Sequence, residues 1–256
     1  MEMRVIRLDE VDSTNRWLRD YVPSGDEAVS ICTAEFQTNG QGCGGNSWES
    51  ERGKNLLFSV LIHPSDIAAN EQFQISMATA LAVSDAMGDF GIKDIRVKWP
   101  NDIYWNDQKL CGMLIENSLS GTAIRDSIIG IGMNVNQTDF RFPQAADHDP
   151  LTAPNPVSMR QILGHDIDRE AVLRSIVGHL KICSCMADYT RMRYNALLYR
   201  RDGQLHRFRD GEGDFQAEVL EVDELGKLLL KKADGRVVSY GFKEVVFVKC
   251  GVRSVE

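Results

Sequence analysis

Apolar positions at Phe73, Met77, Ala80, Leu81 and Met87 recur at three- and four-residue spacing. That period predicts an amphipathic helix over residues 70–88, ended by Gly88 or Gly91, whose Met and Phe stripe is core. Around it the pattern shortens to strand-like runs at 29–34, 55–62, 95–99, 103–105, 109–119 and 127–134. The later runs are joined by tight turns such as Asn106-Asp107 and Ser120-Gly121. Turns that short leave no room for a crossover, so these strands must pair antiparallel. Asp12 or Ser13 is placed to cap a short helix through Trp17, Leu18 and Tyr21. Ser158, Asp166 or Asp168 can cap later helices, with Val172, Leu173, Ile176, Val177 and Leu180 forming a buried face. The fold class predicted is α+β, a mixed and largely antiparallel sheet with flanking helices.

Prolines 143, 150, 154 and 156 mark a long surface loop. After Gly203 short alternating runs at 216–222, 227–231, 236–240 and 245–248 are separated by Gly- and Asp-bearing turns, the texture of a small β-barrel. A boundary near Arg200 divides the chain into a domain of residues 1–200 and one of residues 201–256.

Composition narrows the class further. The 256 residues, 43% hydrophobic, suffice for a sizeable core. No apolar run reaches the ~18 residues a membrane span needs, and residues 1–10 carry charges where a secretory signal would be apolar. A cytoplasmic protein without a membrane partner is expected. A net charge of −8 disfavours a protein that wraps duplex DNA. The cysteines at 32, 43, 111, 183, 185 and 250 form no C-x-x-C pair and read as reduced thiols, with no protein-only metal site.

Three segments carry candidate chemistry: EFQTNGQGCGGNSWES (35–50), KWPNDIYWNDQKLCGMLIE (98–116) and GIGMN (130–134). The first, with glycines at 40, 42, 44 and 45, cannot be regular structure and reads as a mobile loop. Its glycines also let backbone N–H groups converge on an anion. It is neither a Walker loop nor a dinucleotide fingerprint, because the Lys-Ser/Thr ending and the following helix are missing. In the second, Lys109 opens a strand dominated by Leu, Met and Ile, where a lysine is expensive unless paired or given an anionic ligand. Gly112, Gly130 and Gly132 interrupt strands, which glycine weakens unless something must approach closely. Together they predict a ligand cleft over the sheet.

In order and spacing, DSTN (12–15), EFQ (35–37), the glycine loop ending in WES (48–50), KWPND (98–102), KLCGMLIE (109–116) and GIGMN (130–134) resemble the signature series of biotin–protein ligases. The resemblance implies a catalytic fold like that of class II aminoacyl-tRNA synthetases, followed by an SH3-like β-barrel. It implies biotin and ATP as substrates, Mg²⁺ as cofactor, and a biotin carboxyl carrier protein as acceptor. By resemblance, Ser13, Thr14, Gln37, Gly40, Gln41, Lys109, Gly112 and Leu114 would meet biotin. Gly42, Cys43, Trp48, Lys98, Asn101, Gly130 and Asn134 would meet ATP or the adenylate. Lys109 and Asp102 would be catalytic. A lipoate–protein ligase shares this fold and adenylation logic, but Gln37 and the Trp99-Pro-Asn-Asp102 pattern favour a bicyclic ureido ligand; a degenerate biotin-binding protein is the non-enzymatic alternative. DSTN lies close to residue 1, which predicts a ligase without the helix-turn-helix domain of repressor members, hence no DNA partner. A homodimer through a sheet edge is left open.

The departure is in the loop. Where the family commonly has Gly-Arg-Gly-Arg/Gln-x-Gly, this chain has GQGCGG at 40–45, with no arginine between Gln37 and Glu51. A weaker hold on the adenylate follows unless Arg52 or Lys54, just beyond, supplies the charge.

Overall fold

The computed structural model describes residues 2–23, 27–64, 66–140, 151–153, 155–182 and 184–249. Part of the proline-rich segment therefore lies outside the described residues. A seven-stranded sheet is built from β1 (Glu2–Val11), β2 (Glu27–Gln37), β3 (Leu56–Ile62), β4 (Ile95–Lys98), β5 (Asp102–Trp105), β6 (Gln108–Ser120) and β7 (Ala123–Met133). Their order across the sheet is β1-β2-β3-β7-β6-β5-β4. All neighbours pair antiparallel except β1 and β2, which run parallel through the crossover helix α1 (Thr14–Arg19). The expected α+β architecture holds. Strand β1 is absent from the sequence reading, because its alternation (EMRVIRLDEV) is masked by charges that an edge strand turns to solvent.

Strand β3 is apolar nearly throughout because both of its faces are covered. Period-two alternation divides the sheet's side chains. Cys32, Leu61 and Ile128 pack with Leu18 of α1 in one cluster. Ile31, Val60 and Ile129 belong to the main core with α2 (Phe73–Asp89). Helix α2 stops where the N–H of Ile92 returns to the Met87 carbonyl at 3.0 Å around Gly91, whose φ is 76°. Two further helices, α3 (Met159–Leu163) and α4 (Arg169–His179), begin at the expected caps. The Ser158 hydroxyl accepts from the Gln161 N–H within a capping box, and Asp168 accepts from the Glu170 N–H. A last helix, α5 (Ala187–Ala196), leads to the second sheet.

That sheet has five strands, β8 (His206–Asp210), β9 (Gly213–Val222), β10 (Leu228–Lys232), β11 (Val237–Tyr240) and β12 (Val246–Phe247), in the order β11-β10-β9-β8-β12. Only β8 was not foreseen. One hydrophobic cluster runs through both sheets, joining Val97 and Tyr194 to Phe208, Val222 and Leu230. Buried Asn195 at the end of α5 clasps Val222 in both directions, donating to its carbonyl at 3.1 Å and accepting from its N–H at 2.7 Å. Trp99 Nε1 donates to the Gly226 carbonyl at 2.9 Å, tying the turn before β5 to the second sheet.

Cys32, Cys43 and Cys111 are free thiols. Cys185 is disulfide-bonded, which corrects the expectation of reduced cysteines there; its partner lies outside the described residues. No helix among the described residues is long and apolar enough to cross a membrane.

Candidate active site

The three chemistry-bearing segments meet over the middle of the large sheet, around a cleft holding about 440 Å³ of empty space, open to solvent on one side. Its floor is β6 and β7, where Gly112 and Gly132 are paired across the strands. The glycines are explained by what lies on them. A Cβ at Gly132 would fall 2.5 Å from Trp48 Cε2, and one at Gly112 would fall 2.9 Å from Trp48 Cζ3. At Gly130 a Cβ would meet Asn15 Oδ1 at 2.3 Å. The close approach inferred from sequence is therefore that of the Trp48 indole and the Asn15 amide onto the strands.

Residues 40–48, expected to be irregular and mobile, form a small closed hairpin. Gln41 bridges Ser47, the Trp48 N–H donates to the Gly40 carbonyl at 2.9 Å, and the Gly42 N–H donates to the Asn46 carbonyl at 2.6 Å. A single 3-10 turn, Cys43–Gly45, makes the tip. Positive φ at Gly44 (73°) and Gly45 (89°) is what glycine permits there. The hairpin lays Trp48 into the cleft, where its Nε1 is buried without a hydrogen-bond partner. Burial raises the Cys43 thiol pKa, with the Asp102 carboxylate adding to the shift and Lys243 and Lys109 opposing it.

On another wall, α1 and β2 contribute a polar chain. Gln37 Oε1 accepts from the Thr14 N–H at 2.8 Å and from Thr14 Oγ1 at 3.1 Å. Thr14 Oγ1 lies 2.7 Å from Ser59 Oγ, and Ser59 donates to Asn15 Oδ1 at 2.6 Å. Asn15 Nδ2 donates to the Leu114 carbonyl at 3.3 Å and to Glu116 Oε2 at 2.8 Å. With its oxygen fixed by Thr14, Gln37 keeps its amide N–H₂ for the cleft.

At the other end Lys109 Nζ sits 2.7 Å from Asp102 Oδ1, both side chains about four-fifths buried, and 5.4 Å from the Trp48 ring centroid. Pairing with Asp102 satisfies the physical demand that an apolar strand places on this lysine. Asn101 holds the preceding turn against β6, donating through Nδ2 to the Met113 carbonyl at 2.6 Å. A second space of about 850 Å³ continues from Lys109 and Asp102 past Lys98 to Phe242, Lys243 and Phe247 of the C-terminal sheet. Lys98 Nζ donates to the Tyr104 hydroxyl at 3.0 Å, and burial lowers its pKa to about 8.

Ser13, Thr14, Gln37, Gln41, Gly42, Cys43, Trp48, Asn101, Asp102, Lys109, Gly112, Leu114 and Gly130 line the first cavity as a group. Lys98 lines only its continuation, and Gly40 lines neither, being pressed against the Trp48 carbonyl. Asn134 lies behind Lys109, its Nδ2 donating to the carbonyls of Lys109 (3.3 Å) and Val157 (3.2 Å). Other contributors were missed, Met113 and Ile131 of the floor among them. Asn15, Ser59 and Phe58 carry no chemical motif of their own, although Asn15 stands within DSTN and Ser59 is the one polar residue in LLFSVLI.

A mixed α+β enzyme with a cation, a carboxylate and a polar wall around one cleft is the class that fold and site define; in this chain it is a ligase. Residues 8–134 match the biotin/lipoate A/B protein ligase family, and the chain belongs to that family. It is 28% identical over 243 residues to the bifunctional ligase/repressor BirA of Bacillus subtilis, covering 92% of this chain and 71% of that protein. To the biotin–[acetyl-CoA-carboxylase] ligase of Paracoccus denitrificans it is 29% identical over 238 residues, covering 90% and 95%. The biotin protein ligase of Aquifex aeolicus, solved in complex with biotin and ATP, superposes with a TM-score of 0.71 at 26% identity, covering 94% of this chain and 97% of that one.

Proposed function

We propose that this chain joins biotin to ATP as biotinyl-5′-AMP and transfers the biotinyl group to a lysine of a biotin carboxyl carrier protein. The observation that carries the reading is the placement of Lys109: a largely buried cation in a cleft, at the junction between a hydrogen-bonding wall and a space that reaches other lysines. In the first step a biotin carboxylate oxygen bonds to the α-phosphorus of ATP as the bond to the β-phosphate breaks and pyrophosphate leaves. Two anions must approach, so a fixed ammonium stabilises the transition state more than the separated reactants. Lys109 supplies it, with the hairpin at Gly42 and Cys43 beside it. Gln37 and Thr14 would hold the ureido ring, and Trp48 the adenine.

Magnesium fits this site only as the metal of MgATP. Among the described residues no three His, Cys, Asp or Glu side chains cluster as a metal site, and Asp102 already faces Lys109. In the second step the acceptor amine attacks the acyl carbon, AMP leaves, and the amine gives up a proton, for which Asp102 is the nearby acceptor. Closure of residues 40–48 keeps water from the mixed anhydride until then. The same reading divides the chain into a catalytic unit of residues 1–200 and an accessory unit of residues 201–256. It includes no duplex DNA partner, given the net charge of −8.

Biotin-dependent exchange of labelled pyrophosphate into ATP tests the first half-reaction. Exchange with biotin and none with lipoate is expected. Exchange with lipoate alone, or with neither acid, overturns the reading.

A further inference from the structure

The tip of the glycine hairpin is held from outside the large sheet. Lys243, in the turn between β11 and β12, donates from Nζ to the Gly44 carbonyl at 2.8 Å. The fit is tight: a Cβ on Gly44 would lie 2.5 Å from Lys243 Cε and 3.2 Å from Phe242 Cζ. The turn itself is braced, since Glu244 accepts from the Gly241 N–H at 2.6 Å and its own N–H donates to the Gly241 carbonyl at 3.1 Å. Lys243 occupies a positive φ of 67°, which aims its side chain without the conformational freedom of glycine.

The ammonium has capacity to spare. It carries three N–H donors, one of which goes to Gly44. Among the described residues it has no carboxylate within ion-pair distance. Lys243 lines the same space as Lys98 and Lys109, where Asp102 is the facing carboxylate. Three ammonium groups around one carboxylate leave an excess of positive charge, which a phosphate would neutralise. Neither cation next to the hairpin in sequence takes this position. Arg52 pairs with Asp9 and Glu10 and lies 5.0 Å over the Phe36 ring, on the β1 side, and Lys54 lines neither space.

We propose that Lys243 is a positioning residue which latches the hairpin from the C-terminal sheet and lends its ammonium to the phosphate of the bound acyl-adenylate. A hairpin without arginine thereby acquires its cation from another part of the chain. The inference rests on the adenylate-forming activity proposed above. Because the latch joins the two sheets, it also makes loop closure depend on the C-terminal sheet.

Two measurements on wild type, Lys243→Met and Lys243→Arg separate the latch from the activity. The full chain is used in each. Without any ligand, amide hydrogen exchange in the peptide covering residues 40–48 should be about tenfold faster in Lys243→Met and close to wild type in Lys243→Arg, with the sheet strands unchanged. Exchange at the wild-type rate in Lys243→Met overturns the latch, whether or not the chain proves to be a ligase. With biotin and MgATP, biotinyl-adenylate should escape about ten- to a hundredfold faster from Lys243→Met, and a bystander protein should be labelled accordingly. Lys243→Arg should restore retention. Faster loop exchange with unchanged adenylate escape overturns the phosphate contact. A wild-type chain that forms no adenylate overturns the proposed function and with it the phosphate contact, leaving the loop exchange to decide the latch alone.

Discussion

Trp48 rests on Gly132 so closely that a Cβ at position 132 would come within 2.5 Å of the indole Cε2. Gly132→Ala therefore leaves the strand able to form but evicts the indole. The variant should keep its fold at a cost of about 1–3 kcal/mol, the range for an overpacked contact. Tryptophan emission should shift to longer wavelength, with Trp48→Phe as the reference for the other three indoles, and KM for ATP should rise about tenfold if the indole positions the base. Unchanged emission and unchanged KM would show that the hairpin does not depend on this contact.

Ser59 joins the two halves of the polar wall, donating to Asn15 Oδ1 and lying 2.7 Å from Thr14 Oγ1, from a fully buried position. Ser59→Ala strands Asn15 Oδ1 and loosens Thr14, which orients Gln37. Leaving a buried polar atom unpaired costs about 1–3 kcal/mol. Denaturant unfolding should register that loss, and KM for biotin should rise more than KM for ATP. Equal rises in both would place the wall elsewhere in the mechanism.

Most strands and the caps of α3 and α4 were legible because each is set locally, by the apolar run of β3, by alternation in β9 or by a side chain bonding its own helix at Ser158 and Asp168; the cap expected at Asp12 or Ser13 forms no side-chain bond from Ser13. Charges hid β1, whose partners lie a crossover away. The hairpin at 40–48 was read as irregular because its order comes from contacts remote in sequence, Trp48 on Gly112 and Gly132 and Gly44 under Lys243. The same holds for the site. Lys109 was conspicuous as a lysine opening an apolar strand, and its pairing with Asp102 answers that conspicuousness. Ser59 and Lys243 are ordinary residues in their own segments and acquire a role only through the residues folding brings to them. The C-terminal segment reads as separate in texture, yet Asn195 and Val222 knit it into a shared core.

On the proposal that Lys98 meets the nucleotide, its titration sets an alkaline limit. Burial lowers its pKa to about 8, so the free protein holds this charge below about pH 8 and loses it above. A bound triphosphate favours the charged form, so its affinity for the protein is full below that pH and falls as pH rises through it. KM for ATP should accordingly climb between about pH 7.5 and 9 in wild type. In Lys98→Gln it should be higher at neutral pH and flat across the same interval. A wild-type profile as flat as that of Lys98→Gln would remove Lys98 from nucleotide binding.

Lys109 and Asp102 face each other at 2.7 Å, and their substitution should divide the two half-reactions. On the proposed mechanism Lys109→Met removes the cation where two anions meet, so pyrophosphate exchange should fall at least a thousandfold, on the scale of about 3–4 kcal/mol for loss of one transition-state donor. Asp102→Asn keeps the shape and an acceptor oxygen but removes the base. Exchange should then fall by about tenfold or less, while transfer from preformed biotinyl-adenylate to the carrier lysine should fall by about a hundredfold or more. Raising the pH should recover part of that transfer, because a larger fraction of acceptor amine is already neutral. Either substitution leaves its partner unpaired in a partly buried place, so both proteins should lose about 1–3 kcal/mol of stability, and rates are to be compared well below the lower melting temperature. If Asp102→Asn depresses exchange and transfer by the same factor, with no recovery at higher pH, the carboxylate serves to orient Lys109 and does not accept the proton.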